Sequence, residues 1–334
     1  MEKVLITGGT GFVGGHLVSL LKSRGSRVAV LASSGCSQNS DLECYHADVR
    51  DADKVSSAIH QFKPNCIYHL AAISSVEFAW KSPRLTYDVN VFGTLNVFEA
   101  AMSLAEPPQV LNVSTAQVYA PSISVLKESS ALAPDNPYAA SKAMTEFLSV
   151  QFRKRSSGGI VTVRSFNHAG PGQSPDFVLS SIAKQFAEIE AGVRNPKLIL
   201  GNLHVKRDFT DVRDVVQAYS LLLQKGEVNQ IYNVCSGHSR SIEEIVREFE
   251  SISGINVKIE SLPGKQRAGE NEVVCGDPTK IRAATGWQPE IPFEEGLRST
   301  VEWYRDNHAW VEHARSGEYR GYYERMYGRA PAIA

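Results

Sequence analysis

The sequence predicts an α/β protein, a doubly wound parallel sheet followed by a smaller, irregular C-terminal lobe. Three observations predict it. Short apolar runs alternate with helix-spaced segments through roughly the first 165 residues, and a glycine-rich loop joins the first run to the first helical segment. Beyond about residue 166 the rhythm loosens under Pro171, Gly172, Pro175, Pro196, Pro263, Gly264 and Pro278.

The elements follow in order. Lys3–Thr7 (KVLIT) reads as a strand, and Phe12–Ser23 carries Val13, Leu17, Leu20 and Leu21 at helical spacing. Arg27–Leu31 is a second strand, and a third is expected just before HADV. Asp53–Phe62 reads as a helix, and Cys66–Ala71 (CIYHLA) as a buried strand bounded by Pro64. Asn90–Met102 is helical, Val110–Ser114 a strand, Tyr138–Arg155 a long helix and Ile160–Arg164 a strand. The segment Phe209–Ser236 reads as a helix and strand returning to the main sheet. The expected division is 1–166 with 208–240 for the sheet domain, and 167–207 with 241–334 for the lobe.

At 334 residues and 43% hydrophobic, the chain is long enough to bury a large core. Thirty-five basic against 36 acidic residues leave a net charge of −1, so bulk charge argues for neither a nucleic-acid nor a membrane partner. No apolar run approaches the ~18 residues of a membrane span. The start MEKVLITGG enters a strand directly, with no cationic leader ahead of an apolar core. Five cysteines (Cys36, Cys44, Cys66, Cys235, Cys275) are scattered without a CxxC pair, which predicts reduced thiols and a cytoplasmic protein rather than a disulfide frame or a metal site.

Between the first strand and helix lies TGGTGFVGG, with Gly8, Gly11 and Gly14 at GxxGxxG spacing. Glycines let the backbone turn sharply and approach a pyrophosphate, and the helix opening at Phe12 and Val13 supplies N–H groups and a positive dipole end. The context predicts a Rossmann dinucleotide site. An NAD-preferring site places an acid about 20 residues on, at the end of the second strand. Here that strand ends Leu31-Ala32-Ser33-Ser34. Nothing repels a 2′-phosphate and Ser33 can donate to one, so NADP(H) is modestly favoured over NAD(H). Asp48, followed by Val49, is the candidate for the adenine amino group.

Residues 136–146 read NPYAASKAMTE, which puts Tyr138 and Lys142 four apart on one helix face. A tyrosine with pKa ~10 exchanges protons poorly at neutral pH unless a nearby cation stabilises its phenolate. Lys142 supplies that cation. Upstream, STAQVYA (114–120) closes an apolar strand with Ser114 and Thr115, and no carboxylate follows in the next two places.

The combination GxxGxxG, STAQVY and YxxxK resembles the extended short-chain dehydrogenase/reductase (NAD-dependent epimerase/dehydratase) family, which acts largely on nucleotide-linked sugars. HLAAISSV (69–76), NVFGTLNVFEAA (90–101) and RDFTDVRD (207–214) fit the same pattern. The resemblance implies that Thr115 holds the substrate oxygen, Tyr138 exchanges the proton and Lys142 tunes it, while Leu70, Ala71 and Ala72 line the cofactor site. In the family's 4,6-dehydratases a carboxylate stands shortly after the threonine and removes a proton beside a carbonyl. Ala116 and Gln117 cannot do that, which points to ketone reduction or 4-epimerisation.

SFNHAGPGQSPDFV (165–178), GNLHVKRDFTDVRD (201–214) and IYNVCSG (231–237) are similar to the family's reductases of GDP-4-keto-6-deoxy-D-mannose. By that likeness Arg207 and Arg267 bind the diphosphate, for which paired guanidinium donors suit. Glu270 binds a ribose, Asn167 the pyrophosphate and Val178 the base, with Lys184 and Gln117 as further contacts. The expected activity is reduction of that ketone at C4 to a GDP-6-deoxyhexose, GDP-D-rhamnose or its C4 epimer. The alternatives are a 4-epimerase or, less favoured, a GDP-mannose 4,6-dehydratase. The resemblance also implies a homodimer formed by a four-helix bundle of 90–102 and 138–155, for which Val97, Phe98, Met144, Phe147 and Leu148 are available. The tail, residues 310–328, resembles the ends of nucleotide-sugar dehydratases.

Overall fold

The computed structural model describes residues 1–34, 42–153, 158–261 and 271–307. Its elements begin β1 (Lys3–Thr7), α1 (Phe12–Ser23), β2 (Arg27–Ala32), β3 (Glu43–His46), α2 (Ala52–Phe62), β4 (Cys66–His69), α3 (Val76–Lys81) and α4 (Pro83–Tyr87). A π-helical turn, Asp88–Phe92, then leads into α5 (Gly93–Met102), β5 (Gln109–Thr115), α6 (Pro137–Arg153), β6 (Ile160–Ser165), β7 (Asn167–Ala169) and α7 (Val178–Glu190). The rest comprises β8 (Lys197–Leu200), β9 (Lys206–Asp211), α8 (Val212–Lys225), β10 (Ile231–Val234), β11 (Ser239–Ser241), α9 (Ile242–Ser253), β12 (Lys258–Ser261), β13 (Val273–Val274), α10 (Thr279–Thr285) and α11 (Phe293–Asp306).

Seven parallel strands form the main sheet in the order β3-β2-β1-β4-β5-β6-β10. The order reverses between β1 and β4, and ligands of doubly wound sheets bind outside the carboxyl ends of the strands at such a point. Strand side chains alternate between faces, and β1 shows why these strands read as unbroken apolar runs. Val4 and Ile6 pack with Leu17 and Leu21 of α1 and Tyr219 and Leu222 of α8. Leu5 packs on the other side with Val55 and Ile59 of α2 and Val97 and Phe98 of α5.

The expected return of 209–236 to the sheet is present, with α8 on its face and β10 beside β6. In the lobe a second sheet joins β11, β9 and β13, and β7 pairs with β9. A separate apolar core gathers Leu179, Phe186, Phe209, Ile245, Phe249, Leu297 and Tyr304 there. Among the described residues no helix is long and apolar enough to cross a membrane.

Three expectations are corrected. Cys44 is disulfide-bonded, so the chain is not composed of reduced thiols throughout, although Cys66, Cys235 and Cys275 are free. Disulfide geometry depends on distance through space, which spacing along the chain does not measure. The helix expected over 90–102 is interrupted, because its first residues belong to the π turn. Val97 and Phe98 are fully buried against the sheet and offer nothing to a partner. The exposed apolar side chains in this region are Trp80, Phe92, Met144 and Phe147. The 310–328 tail lies outside the described residues.

Candidate active site

The glycine loop sits at the switch point, after β1. Gly8 has φ +70°, and a Cβ on it would lie 2.9 Å from the backbone of Ala71, which follows β4. A Cβ on Gly14 would lie 2.4 Å from the Gly8 carbonyl oxygen. Gly11 caps α1 with no side chain, so the first-turn N–H groups at Phe12, Val13 and Gly14 face outward from a bare helix start. This cradle suits a pyrophosphate, and the backbone of Leu70 and Ala71 lies directly beside it. At the end of β2, Thr10 donates to the Ser34 carbonyl at 3.1 Å, which ties the glycine loop to the strand end that carries Ser33. Asp48 is not free to the extent the sequence suggests. Its carboxylate accepts from Arg50 through Nε at 3.1 Å and through a second guanidinium nitrogen at 2.8 Å.

Behind the cradle, buried His69 bridges two threonines. Thr94 Oγ1 donates to the Asn90 carbonyl at 2.5 Å and so accepts from His69 Nε2 at 2.9 Å. His69 Nδ1 then accepts from Thr7 Oγ1 at 2.7 Å, and Thr7 Oγ1 accepts from the Ala71 N–H. The ring is held neutral: burial, and then the Lys142 charge, push its pKa down to about 3. Asn90 continues the network. It clamps Ile73 through both main-chain groups and donates to Ser141 Oγ at 2.9 Å, and Ser141 donates to the Tyr138 carbonyl. One chain of hydrogen bonds thus links β1 to the helix that carries Tyr138. It is not legible in the sequence, because the bonds that join its local pieces, Thr7 to His69, His69 to Thr94 and Asn90 to Ser141, link residues far apart along the chain.

Tyr138, Lys142 and Glu146 recur at four-residue intervals along α6, on the face turned to the sheet. Asn136 starts this helix by accepting from the Ala139 N–H at 2.9 Å, and Pro137 takes the first position. The Tyr138 phenol is buried, with the Thr115 hydroxyl close enough to pull its pKa down. Burial raises its pKa and outweighs the lowering from Thr115, so the ring holds its proton. Lys142 is also buried, donates from Nζ to the Val113 carbonyl at 2.8 Å, and has its pKa lowered by burial to about 8. Thr115 Oγ1 accepts from the Gln117 N–H at 3.3 Å. The end of β5 and the inner face of α6 therefore bring the Thr115 hydroxyl near a protonated phenol, with the Lys142 ammonium one turn further along the same helix and bonded to the Val113 carbonyl.

Gln117 is exposed, and its Oε1 accepts from Asn136 Nδ2 at 3.3 Å. Asn167 is exposed at the start of β7, and Val178 is the partly open first residue of α7. Next to Asn167, His168 stacks on Phe12 with centroids 6.2 Å apart, and His16 contacts the Pro171 carbonyl at 2.8 Å. These contacts fasten the glycine-loop helix to the lobe. Arg207 is half-buried on β9 and donates to the Asn271 carbonyl at 2.8 Å. Lys184 is committed elsewhere: it pairs with buried Glu188 at 2.8 Å, which also holds Arg194. Arg267 and Glu270 lie outside the described residues.

A family model described as GDP-mannose 4,6 dehydratase matches residues 5–300. The chain is 32% identical over 303 residues to GDP-6-deoxy-D-mannose reductase of Pseudomonas aeruginosa, covering 90% of this chain and 96% of that protein. It is 29% identical over 363 residues to dTDP-glucose 4,6-dehydratase 1 of Escherichia coli, covering 97% and 99%. Among solved structures, RMD from Pseudomonas aeruginosa complexed with NADPH superposes with a TM-score of 0.82 at 31% identity, over 92% of this chain and 99% of that one. A Thermus thermophilus UDP-glucose 4-epimerase in complex with NAD gives 0.81 at 30% identity, over 92% and 100%.

Proposed function

We propose, since the chain belongs to the GDP-mannose 4,6 dehydratase family of extended short-chain dehydrogenases/reductases, that it reduces the C4 ketone of GDP-4-keto-6-deoxy-D-mannose to a GDP-6-deoxyhexose, with NADP(H) favoured over NAD(H). The observation that carries the reading is the protonated Tyr138 beside Thr115, with an amide at Gln117 where elimination chemistry needs a carboxylate. Similarity to a GDP-6-deoxy-D-mannose reductase and to a structure holding NADPH supports the substrate and the cofactor preference.

A nicotinamide bound on the glycine cradle supplies the hydride that C4 accepts. Thr115 and Tyr138 hydrogen-bond the ketone oxygen and polarise it before transfer. As the C4–oxygen double bond becomes an alkoxide, Tyr138 gives the oxygen its proton, and Lys142 stabilises the phenolate that remains. A raised phenol pKa suits this direction, because a group that must donate has to hold its proton until charge develops on the substrate. Arg207 and Asn167, with Arg267, are assigned to the nucleotide diphosphate, Glu270 to a ribose, Val178 to the base and Gln117 to the sugar. Lys184 is left with Glu188.

A homodimer and a cytoplasmic location complete the proposal. Exposed Trp80, Phe92, Met144 and Phe147 support the first; free Cys66, Cys235 and Cys275 are in keeping with the second, while the disulfide at Cys44 counts against it.

The experiment mixes purified protein with NADPH and freshly generated GDP-4-keto-6-deoxymannose and follows nicotinamide absorbance, beside a tube holding GDP-mannose alone. Loss of NADPH in the first tube only is expected, and NMR of the product assigns the C4 configuration. A 4-keto product in the second tube, with no NADPH consumed in the first, would make the protein a dehydratase. A tightly held cofactor with no net redox change would make it a 4-epimerase.

A further inference from the structure

In the C-terminal lobe a cavity of about 320 Å³ opens between β9, β11, α10, α11 and the loop that joins the two helices. None of the side chains assigned above to cofactor or nucleotide sugar lines it. It is an order of magnitude larger than the ~30 Å³ share of one water, and it falls at the lower end of small-molecule sites. Its wall is mixed, with Phe209, Phe293 and Leu297 among the apolar lining and Thr210, Ser236 and Thr300 among the polar. Two guanidiniums, Arg240 and Arg282, stand in the same wall.

The charge balance of this wall is positive. Its one carboxylate, Asp211, is already neutralised: both oxygens accept from Arg213 at 2.9 Å, and Oδ1 also caps the Arg213 N–H. Arg240 lies over the Phe293 ring, 4.4 Å from its centroid, an interaction that fixes a guanidinium without cancelling its charge. Asp277 feels the charge of Arg282, and it accepts from the Thr279 N–H and lies 3.9 Å from Lys127; Glu244, which feels the charge of Arg240, is not in the lining and accepts from the Ser241 N–H. Glu290 and Glu294, on the adjoining loop and helix, are exposed and do not line the cavity.

We propose that this cavity is a second small-molecule site, separate from the reaction site, for a compact amphipathic anion. The apolar body of the ligand packs on Phe209, Phe293 and Leu297, and its carboxylate or phosphate meets Arg240 and Arg282, whose planar donors match either group. A cation is disfavoured by the two guanidiniums, and a fully polar ion leaves the aromatic wall unused. The site does not depend on which sugar the enzyme reduces.

The test is calorimetric titration of the full chain, presaturated with NADPH and GDP, using hexanoate, hexyl phosphate and hexanol as probes. Both anions are expected to bind, hexanol at least about tenfold more weakly, and the stronger anion identifies the preferred head group. Arg282→Ala, an exposed change that spares the core, and Arg240→Leu should each weaken the anions about tenfold and leave hexanol unchanged. The proposal is overturned if no probe binds, if hexanol matches the anions, or if both arginine variants bind them as well as the parent does. Anion binding that appears only when GDP is omitted would equally overturn it, because the probes would then be reading the nucleotide site.

Discussion

Ser114 donates a 2.5 Å hydrogen bond to Glu146, which stands eight residues beyond Tyr138 on α6, and Glu146 in turn takes two guanidinium nitrogens of Arg164 at 2.7–3.3 Å. All three side chains are buried. The strand end that carries Thr115 and the helix that carries Tyr138 are therefore joined directly behind the reacting groups. Arg164 extends the joint by lying over the Tyr119 ring and donating to the Glu128 carbonyl.

Removing the charge on Glu146 strands Arg164 in the interior. Glu146→Gln should cost about 3–5 kcal/mol, read as a lower urea midpoint. The paired change Glu146→Leu with Arg164→Met should recover most of that loss. A single variant as stable as the parent would show that water already reaches the guanidinium.

Lys142 predicts opposite trends for stability and turnover. Its proton leaves near pH 8 in the folded chain but near 10.5 when unfolded. Between those values the unfolded state binds more protons, so this group's contribution to stability rises with pH across that window. Turnover needs the ammonium and should fall as pH rises through about 8. Lys142→Met should abolish turnover yet add about 2 kcal/mol of stability at neutral pH, because a buried charge is removed. A less stable variant would mean that the bond to the Val113 carbonyl outweighs desolvation.

Tyr138→Phe removes the proton donor and little else. Turnover should drop about 10²–10⁴-fold, while NADPH titration stays at the parental value. Retained turnover would transfer the acid role to another group.

Two adjacent glycines in α1 should behave oppositely. Gly14→Ala drives a Cβ to 2.4 Å from the Gly8 carbonyl and should weaken both folding and NADPH binding. A Cβ at Gly15 meets nothing within 4 Å, so Gly15→Ala should raise stability by about 0.5–1 kcal/mol through helix propensity. Thermal melts with and without NADPH separate the two effects.

Phe147, on α6, is 64% exposed and Trp80, on α3, 60%. If the proposed dimer buries them, Phe147→Glu or Trp80→Glu should shift sedimentation toward monomer without lowering the monomer's own melting temperature. An unchanged sedimentation coefficient would place any interface elsewhere.

Local order is legible along the chain: the strand–glycine loop–helix start, the apolar strands of the doubly wound sheet, and Tyr138 and Lys142 on one helical face. Helix and strand periodicities are local, so spacing reveals which side chains share a face. The tertiary structure alone decided their partners. It bonded Cys44, turned Val97 and Phe98 inward, and held His69 neutral between Thr7 and Thr94, whereas the pairs Asp48–Arg50 and Lys184–Glu188 are local, two and four residues apart. Even Glu146, four residues beyond Lys142 and visible in the same stretch, acquires its meaning only when β6 brings Arg164 beside it. Burial and long-range packing set which charges are paired and which hydroxyls hold their protons, and neither is a function of distance along the chain.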